Sequence, residues 1–459
     1  MTVRPLAGAQ AQAVAAAATP WRQVGMVALL AATATASLFE ASVLTGPAPL
    51  DFTIKYAAGQ LVDDGISPYD TAKLVAAEQA LRPGMWDLPF FDPPPTAAGF
   101  RLVSQLPFKA GAALWEFLSV ACLAVIGWLL ADLIGVHRRS TRLAIVSLLV
   151  LFSPVLHSIR LGQVEAVLLL PLVVAIWLCM RRPPTALAVA CSSALAVVSL
   201  CRPQLAYLPV AVVLAHCYRR HRPATSLGAA AAAVTLMLVA RVVAPSAHWG
   251  EWLTALRHYP VESPSWLLRL VLLTGGMAGV ALALRAAPAC RGSFQGWLLL
   301  AASCNGLGAA VVRWNPQWHA VLVLPVLVLL ALFLGQGAQT WPRWDQAVLA
   351  LVVAICLRYT WDELTFYNGL LYATVPLAMS ALVLAAAVVT RLARASWAAL
   401  TWVLTAALVI PPIKPYPGLT QANGLVFCLG VLWLLPRVVD TGRTGQLLDL
   451  ASVRKLRPA

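Results

Sequence analysis

Apolar runs separated by short breaks rich in proline, arginine or aromatic residues recur along nearly the whole chain. A helix crosses the hydrocarbon core of a bilayer in about 20 apolar residues. Runs of roughly that length, or somewhat shorter, lie near 23–44, 110–134, 143–157, 164–180, 185–200, 204–217, 224–243, 266–284, 294–312, 319–335, 346–358, 370–390, 396–412 and 421–436. The pattern predicts an all-α, polytopic integral membrane protein, a helical bundle of about 12–14 spans in which the shorter runs are tilted or re-entrant. Residues 1–22 are then a cytoplasmic tail, 23–436 one transmembrane domain, and 437–459 a second cytoplasmic tail.

The longest break, residues 46–109, predicts a first extracytoplasmic loop with structure of its own, since long connections without a purpose are uncommon. Ile54, Ala57, Ala58 and Leu61, then Leu74, Ala77 and Leu81, recur at helical spacing. Two amphipathic helices lying on the membrane surface follow from that periodicity. GISPYD between them reads as a turn, and WDLPFFDPPPTAAG as a rigid extended piece able to line a groove. The loop is therefore a lid or platform.

Composition agrees with a membrane protein. Hydrophobic residues make up 60% of the 459 and charged ones 11%, against roughly half and a quarter in soluble domains, and the mean hydropathy is +0.79. The net charge of +15 does not indicate nucleic acid, because the basic residues come in ones, twos and threes between apolar runs. With the N-terminus in the cytoplasm, Arg138, Arg139, Arg142, Arg181, Arg182, Arg219, Arg220 and Arg222 fall in short inner segments, as the positive-inside bias requires. Most acids fall in outer segments instead. The nine cysteines form no C-x-x-C pair or ligand cluster, so neither a zinc site nor a disulfide framework is indicated. The first apolar run serves as the insertion signal.

Polar residues worth chemistry collect in the outer breaks. Asp51 follows the first run directly, after Pro47 and Pro49, and a carboxylate at the lip of a membrane helix is a candidate general base; Glu40 and Asp92 are rival acids. HSIRLGQVEA crowds His157, Arg160, Gln163 and Glu165 where two runs meet, with Gly162 permitting close backbone approach. Interface capping and a ligand site both fit that cluster. Arg202 precedes Pro203 at the mouth of the next helix, where anions are favoured, and together with Arg160 it suits a phosphate. RWNPQWHA packs Arg313, Gln317, Trp318 and His319 into one turn; such residues suit a sugar, and equally an aromatic belt with a helix cap. Asp132, near the inner HRRSTR, is placed to pair with arginine.

The order of these pieces resembles a known pattern. Asp51 after the first span, Gly65-Ile-Ser67-Pro68-Tyr69, Phe91-Asp92-Pro93-Pro94-Pro95, Gly162-Gln163-Val-Glu165, Arg202-Pro203 and Asn315-Pro-Gln317-Trp318 resemble the GT-C superfamily of membrane glycosyltransferases. Over residues 20–335 the chain looks like glycosyltransferase family 87, in the branch of polyprenol-phosphate-mannose-dependent α-mannosyltransferases and related arabinofuranosyltransferases. It departs from the common pattern at Glu165, where Asn is usual, at Arg202, where Lys is frequent, and at Leu50, where some relatives carry a second acid.

The resemblance implies an inverting glycosyltransferase of the plasma membrane that moves a sugar, most often mannose, from a polyprenyl-phosphate donor to a glycolipid or polysaccharide acceptor of the cell envelope. The active site then faces the extracytoplasmic side, and neither a cofactor nor a metal is required. Asp51 is the expected catalytic base. Arg160, Arg202, Arg313 and His319 are the expected donor-phosphate ligands, and Tyr69, Asp92, Gln163, Glu165, Gln317 and Trp318 the sugar- and acceptor-binding residues. The alternatives are an arabinofuranosyltransferase and, in another class, a lipid-linked sugar flippase. The absence of internal repeats and of paired broken helices speaks against the flippase.

Overall fold

The computed structural model describes residues 50–84, 88–133, 161–257, 266–290, 293–312 and 428–437, together with isolated positions between 139 and 159 and at 342, 345, 348 and 439. The first span at 23–44 with Glu40, most of the 143–157, 319–335 and 346–358 runs, and the runs at 370–390 and 396–412 lie outside the described residues. Among the described residues there is no strand.

The helices are α1 (Leu50–Asp63), α2 (Thr71–Leu81), α3 (Pro94–Val103), α4 (Phe108–Leu133), α5 (Glu165–Arg181), α6 (Ala186–Val198), α7 (Pro203–Arg220), α8 (Arg222–Val243), α9 (Trp249–Arg257), α10 (Trp266–Cys290) and α11 (Phe294–Val312). Phe108–Leu133, Arg222–Val243 and Leu273–Cys290 are long and apolar enough to cross a membrane, and Ala186–Cys201 and Cys428–Arg437 are shorter apolar helices. The predicted run 294–312 coincides with α11, and 185–200, 164–180 and 224–243 fall within two residues of α6, α5 and α8.

Local chemistry explains the boundaries. Thr185 caps α6 through its Oγ1, which accepts from the Ala188 N–H at 3.2 Å. Pro203 begins α7, where a missing N–H costs nothing. Leu123, Ile126, Leu130, Leu169, Leu172, Val173, Val210 and Val213 form the main apolar core among α4, α5 and α7, with α6 packed against it. Gly228 of α8 lies so close to the Ala190 backbone of α6 that any Cβ there would overlap it.

α5, α6, α7 and α8 follow one another through connections of at most four residues, and charge is sorted by end. Arg142 and Arg181 converge on Asp132, with Arg142 Nη2 at 2.8 Å and Arg181 Nε at 3.0 Å, and Trp177 Nε1 donates to the same carboxylate at 3.1 Å. The predicted pairing of Asp132 is thus found. Arg182 and the Arg219–Arg222 segment share that end of the bundle. Glu165, at the start of α5, and Arg202, at the start of α7, mark the other.

The 46–109 segment departs from expectation in two respects. α1 does not lie on a surface: Phe52, Thr53, Ile54, Lys55, Tyr56, Ala57, Ala58, Leu61 and Val62 are all buried, so protein covers it on nearly every side. α3 packs against α1 at Gly59, where an added Cβ would run into the Phe100 carbonyl and lie 2.9 Å from Ser104 Oγ. The proline-rich piece is extended only through Pro93. Pro94 and Pro95 then open α3, because their fixed φ suits a first helical turn. α2 buries one side, with Leu74 buried and Ala77 and Leu81 packed on a core shared with Ala244 and Ala247, but Glu78 is buried on the same side, so the predicted apolar face carries an acid.

Gly59→Ala is expected to force α1 and α3 apart and cost about 1–3 kcal/mol, the usual range for overpacking. A lowered unfolding midpoint in detergent checks this, and an unchanged midpoint would mean that the contact is loose.

Candidate functional site

α1 enters the bundle at Asp51 and places Lys55 one turn further on. Asp51 lies in the first helical turn, where the helix dipole favours a carboxylate. The chain reaches Gln163 through Gly162, whose φ of +73° is the left-handed conformation that glycine adopts without penalty. The same glycine lets α1 come close: a Cβ there would overlap Phe52 Cβ and stand 3.0 Å from the Phe52 backbone nitrogen. Trp115 of α4 fixes the next residue, its Nε1 donating to the Gln163 carbonyl at 3.2 Å. Glu165 then begins α5, and Arg202 precedes α7.

Around Gln163 these pieces form one buried polar network. Gln163 Oε1 accepts from Arg202 Nη1 at 3.0 Å and from Lys55 Nζ at 3.4 Å. With its oxygen held by two cations, the amide presents Nε2 to Asp51 Oδ2, and donates to it. Arg202 Nη1 also lies 3.3 Å from Glu165 Oε1 and 3.4 Å from Asp92 Oδ1, and Lys55 Nζ is 4.0 Å from Asp92 Oδ2. Lys55 donates besides to the Asp51 carbonyl at 3.2 Å. Three carboxylates, two cations and an amide are thereby knitted together, as burial of charge demands.

Exposure distinguishes the members. Glu165 (1%), Gln163 (2%), Lys55 (4%), Arg202 (6%) and Asp92 (9%) are buried, whereas Asp51 is half-buried. Asp51 is the point at which the network opens outward.

The loop braces this arrangement from outside. Tyr69 donates to the Asp92 carbonyl at 2.9 Å and its ring packs on Phe90. Trp252 of α9 donates to the Phe91 carbonyl at 2.9 Å, and Ser67 to Glu251 at 2.6 Å. Consecutive carbonyls of the extended 88–93 piece are thus pinned from two directions, which aims the Asp92 side chain inward. Burial, then the charges of Asp92 and Glu251, raise the Tyr69 phenol above its usual range, so it remains a proton donor to that carbonyl.

Of the residues singled out in the sequence, Asp51, Asp92, Gln163, Glu165 and Arg202 come together, and Tyr69 stands directly behind Asp92. Arg202 is engaged with two carboxylates and an amide. Arg160, Arg313, Gln317, Trp318 and His319, like His157, lie outside the described residues. Lys55 was not anticipated. Its signal is a lone cation in a stretch from Phe52 to Ala58 that is otherwise uncharged, spaced one turn from Asp51. Among the described residues no cluster of His, Cys, Asp and Glu is arranged to hold a metal ion.

A family model described as Glycosyltransferase family 87 matches residues 90–358. That segment contains Asp92, Gln163, Glu165 and Arg202 and begins after Asp51 and Lys55. No curated protein and no solved structure matches the chain.

Removing the Arg202 guanidinium leaves Asp92 and Glu165 in low dielectric with less positive charge. Arg202→Met is expected to destabilise the protein by about 3–5 kcal/mol, the usual cost of breaking a buried ion pair. Arg202→Lys is expected to recover part of that loss. Unfolding in detergent measures both, and equal midpoints for Arg202→Met and the wild type would remove Arg202 from its role as counterion.

Proposed function

This chain belongs to glycosyltransferase family 87, and from that premise we propose that it transfers a sugar, most readily mannose, from a polyprenyl-phosphate donor to a glycolipid or polysaccharide acceptor at the extracytoplasmic face of the plasma membrane. The observation that carries this reading is the half-buried Asp51 carboxylate at the mouth of a buried polar network.

A hydroxyl is a poor nucleophile until its proton is taken, and a positioned carboxylate performs that task. In the proposed reaction Asp51 accepts the proton as the acceptor oxygen attacks the anomeric carbon. The bond from that carbon to the phosphate oxygen breaks, the polyprenyl phosphate leaves with the electron pair, and the anomeric configuration inverts. Gln163, held by Lys55 and Arg202, orients the carboxylate. Asp92 is the proposed partner of a sugar hydroxyl, in addition to its pairing with Arg202 and Lys55, with Tyr69 bracing its backbone.

The departing phosphate gains charge and requires cations. Lys55 and Arg202 already neutralise Asp92 and Glu165, which makes Arg160, Arg313 and His319 the stronger candidates for phosphate contact. Trp318 is the proposed stacking surface for the sugar, and Gln317, four residues after Arg313 in sequence, the proposed partner of its hydroxyls. Orientation is supported by the sorting of charge, with the arginines around Asp132 at one end and the acid-rich site at the other. The apolar faces between helices suit the polyprenyl tail.

Asp51→Asn is expected to lower turnover about 10²–10⁴-fold, the range of general base catalysis, with little change in donor binding. Purified protein given polyprenyl-phosphate mannose or polyprenyl-phosphate arabinofuranose and lipid-linked acceptors makes the test. Preferred use of the arabinofuranosyl donor would replace mannose in this reading. Full transfer by Asp51→Asn would end the assignment of the base, and transfer only from a nucleotide sugar would end that of the donor.

A further inference from the structure

At the end of the bundle opposite Asp51, a pocket opens between α5, α6 and α7. It is lined by Arg182, Arg220, His216, Ser192, Cys179 and Cys217. The catalytic reading makes no use of it.

Charge around the pocket is one-sided. Asp132, the acid of this end, is taken up by Arg142 and Arg181. Arg182, Arg219, Arg220 and Arg222 have no carboxylate partner among the described residues. Two of them rest on rings instead: Arg182 lies 5.4 Å from the Trp177 ring centre and Arg222 5.1 Å from that of Tyr218. Stacking uses the face of a guanidinium and does not consume its N–H edge, the edge that binds phosphate oxygens in pairs.

His216 supplies an independent observation. Its ring stacks on Phe294 with centroids 4.0 Å apart. Its Nε2 is buried without a hydrogen-bond partner among the described residues, although buried polar atoms are nearly always paired. The pocket's own space is about 10 Å³, room for a single oxygen atom, and one phosphate oxygen reaching in from its open mouth would answer that need.

The flanks of the pocket are apolar and uncovered. Leu187 is 74% exposed and Tyr218 46%, as expected of helix surfaces that face acyl chains. A ligand reaching this place is therefore part anion and part hydrocarbon. Basic pockets between spans on the positive side of a membrane protein suit anionic head groups.

We infer that the pocket between α5, α6 and α7 is a binding site for an anionic phospholipid, whose phosphate is held by Arg182 and Arg220 with His216 Nε2 beside them. The inference is independent of the donor and the acceptor.

Full-length protein in mixed micelles with phosphatidylglycerol or phosphatidylcholine, read by native mass spectrometry, tests it. Retention of phosphatidylglycerol over phosphatidylcholine is expected in the wild type. Replacing both Arg182 and Arg220 by Ala is expected to lower that occupancy roughly thirtyfold, in line with about 1 kcal/mol per basic residue at an anionic surface. Replacing Arg219 and Arg222 instead removes the same charge outside the pocket and is expected to lower it less than about twofold, because the effect is local. His216→Gln, which keeps a donor, is expected to retain more lipid than His216→Phe. Equal losses in the two arginine pairs would overturn the site in favour of diffuse attraction. Displacement by glycerol phosphate at the lipid's own concentration would overturn the lipid in favour of a free phosphate. Each variant is compared at equal monodispersity, and transfer activity serves as the control for folding.

Discussion

Everything at the proposed catalytic end depends on the double grip on Gln163 Oε1. Arg202 and Lys55 both donate to that oxygen, which leaves the amide one orientation, with its N–H toward Asp51. An amide has an acceptor end and a donor end, so fixing one fixes the other. The cations in turn are held by Asp92 and Glu165. A buried array of this kind is stable only while every member is present. Asp51, the one member reaching the surface, owes its direction to groups that never do.

The fold supplies this grip from distant parts of the chain. α1 carries Asp51 and Lys55 into the bundle, and Gly59 and Gly162 are positions where its neighbours come too close for any other residue. α5 and α7 start at the same level because α6 returns the chain between them. The loop closes the assembly by hydrogen-bonding the Phe91 and Asp92 carbonyls to Trp252 and Tyr69. At the other end the arginine-rich turns neutralise Asp132 and leave a basic, aromatic-flanked surface. One hairpinned bundle thus keeps two polar chemistries apart across its length.

Much of this was legible in the sequence, for identifiable reasons. Apolar runs give helix positions directly: 294–312 coincides with a helix, and the run 204–217 lies inside Pro203–Arg220, which extends three residues further through Arg219 and Arg220. Glycine before Gln163 and proline after Arg202 marked the two turns of the network. The burial of α1 was not legible, since its period of Ile54, Ala57, Ala58 and Leu61 describes one face while Phe52 and Tyr56 pack on another. Lys55 escaped for a related reason: a lone cation one turn from Asp51 marks the position, but its role is set by a glutamine 108 positions away, a partner that local pattern does not name. The run of prolines reads as extended throughout because each fixes φ, but the same φ suits a first helical turn, and the geometry divides the run at Pro94.

The central claim is that Gln163 acts through Asp51, and a double-mutant cycle on turnover tests it most directly. Gln163→Leu is expected to lower kcat by about tenfold or more in the wild-type background, the size of a lost orienting hydrogen bond. In the Asp51→Asn background the same substitution is expected to change kcat less than about twofold, because coupled residues are not additive. Equal losses in the two backgrounds would contradict the account and show that Gln163 serves the reaction independently of Asp51.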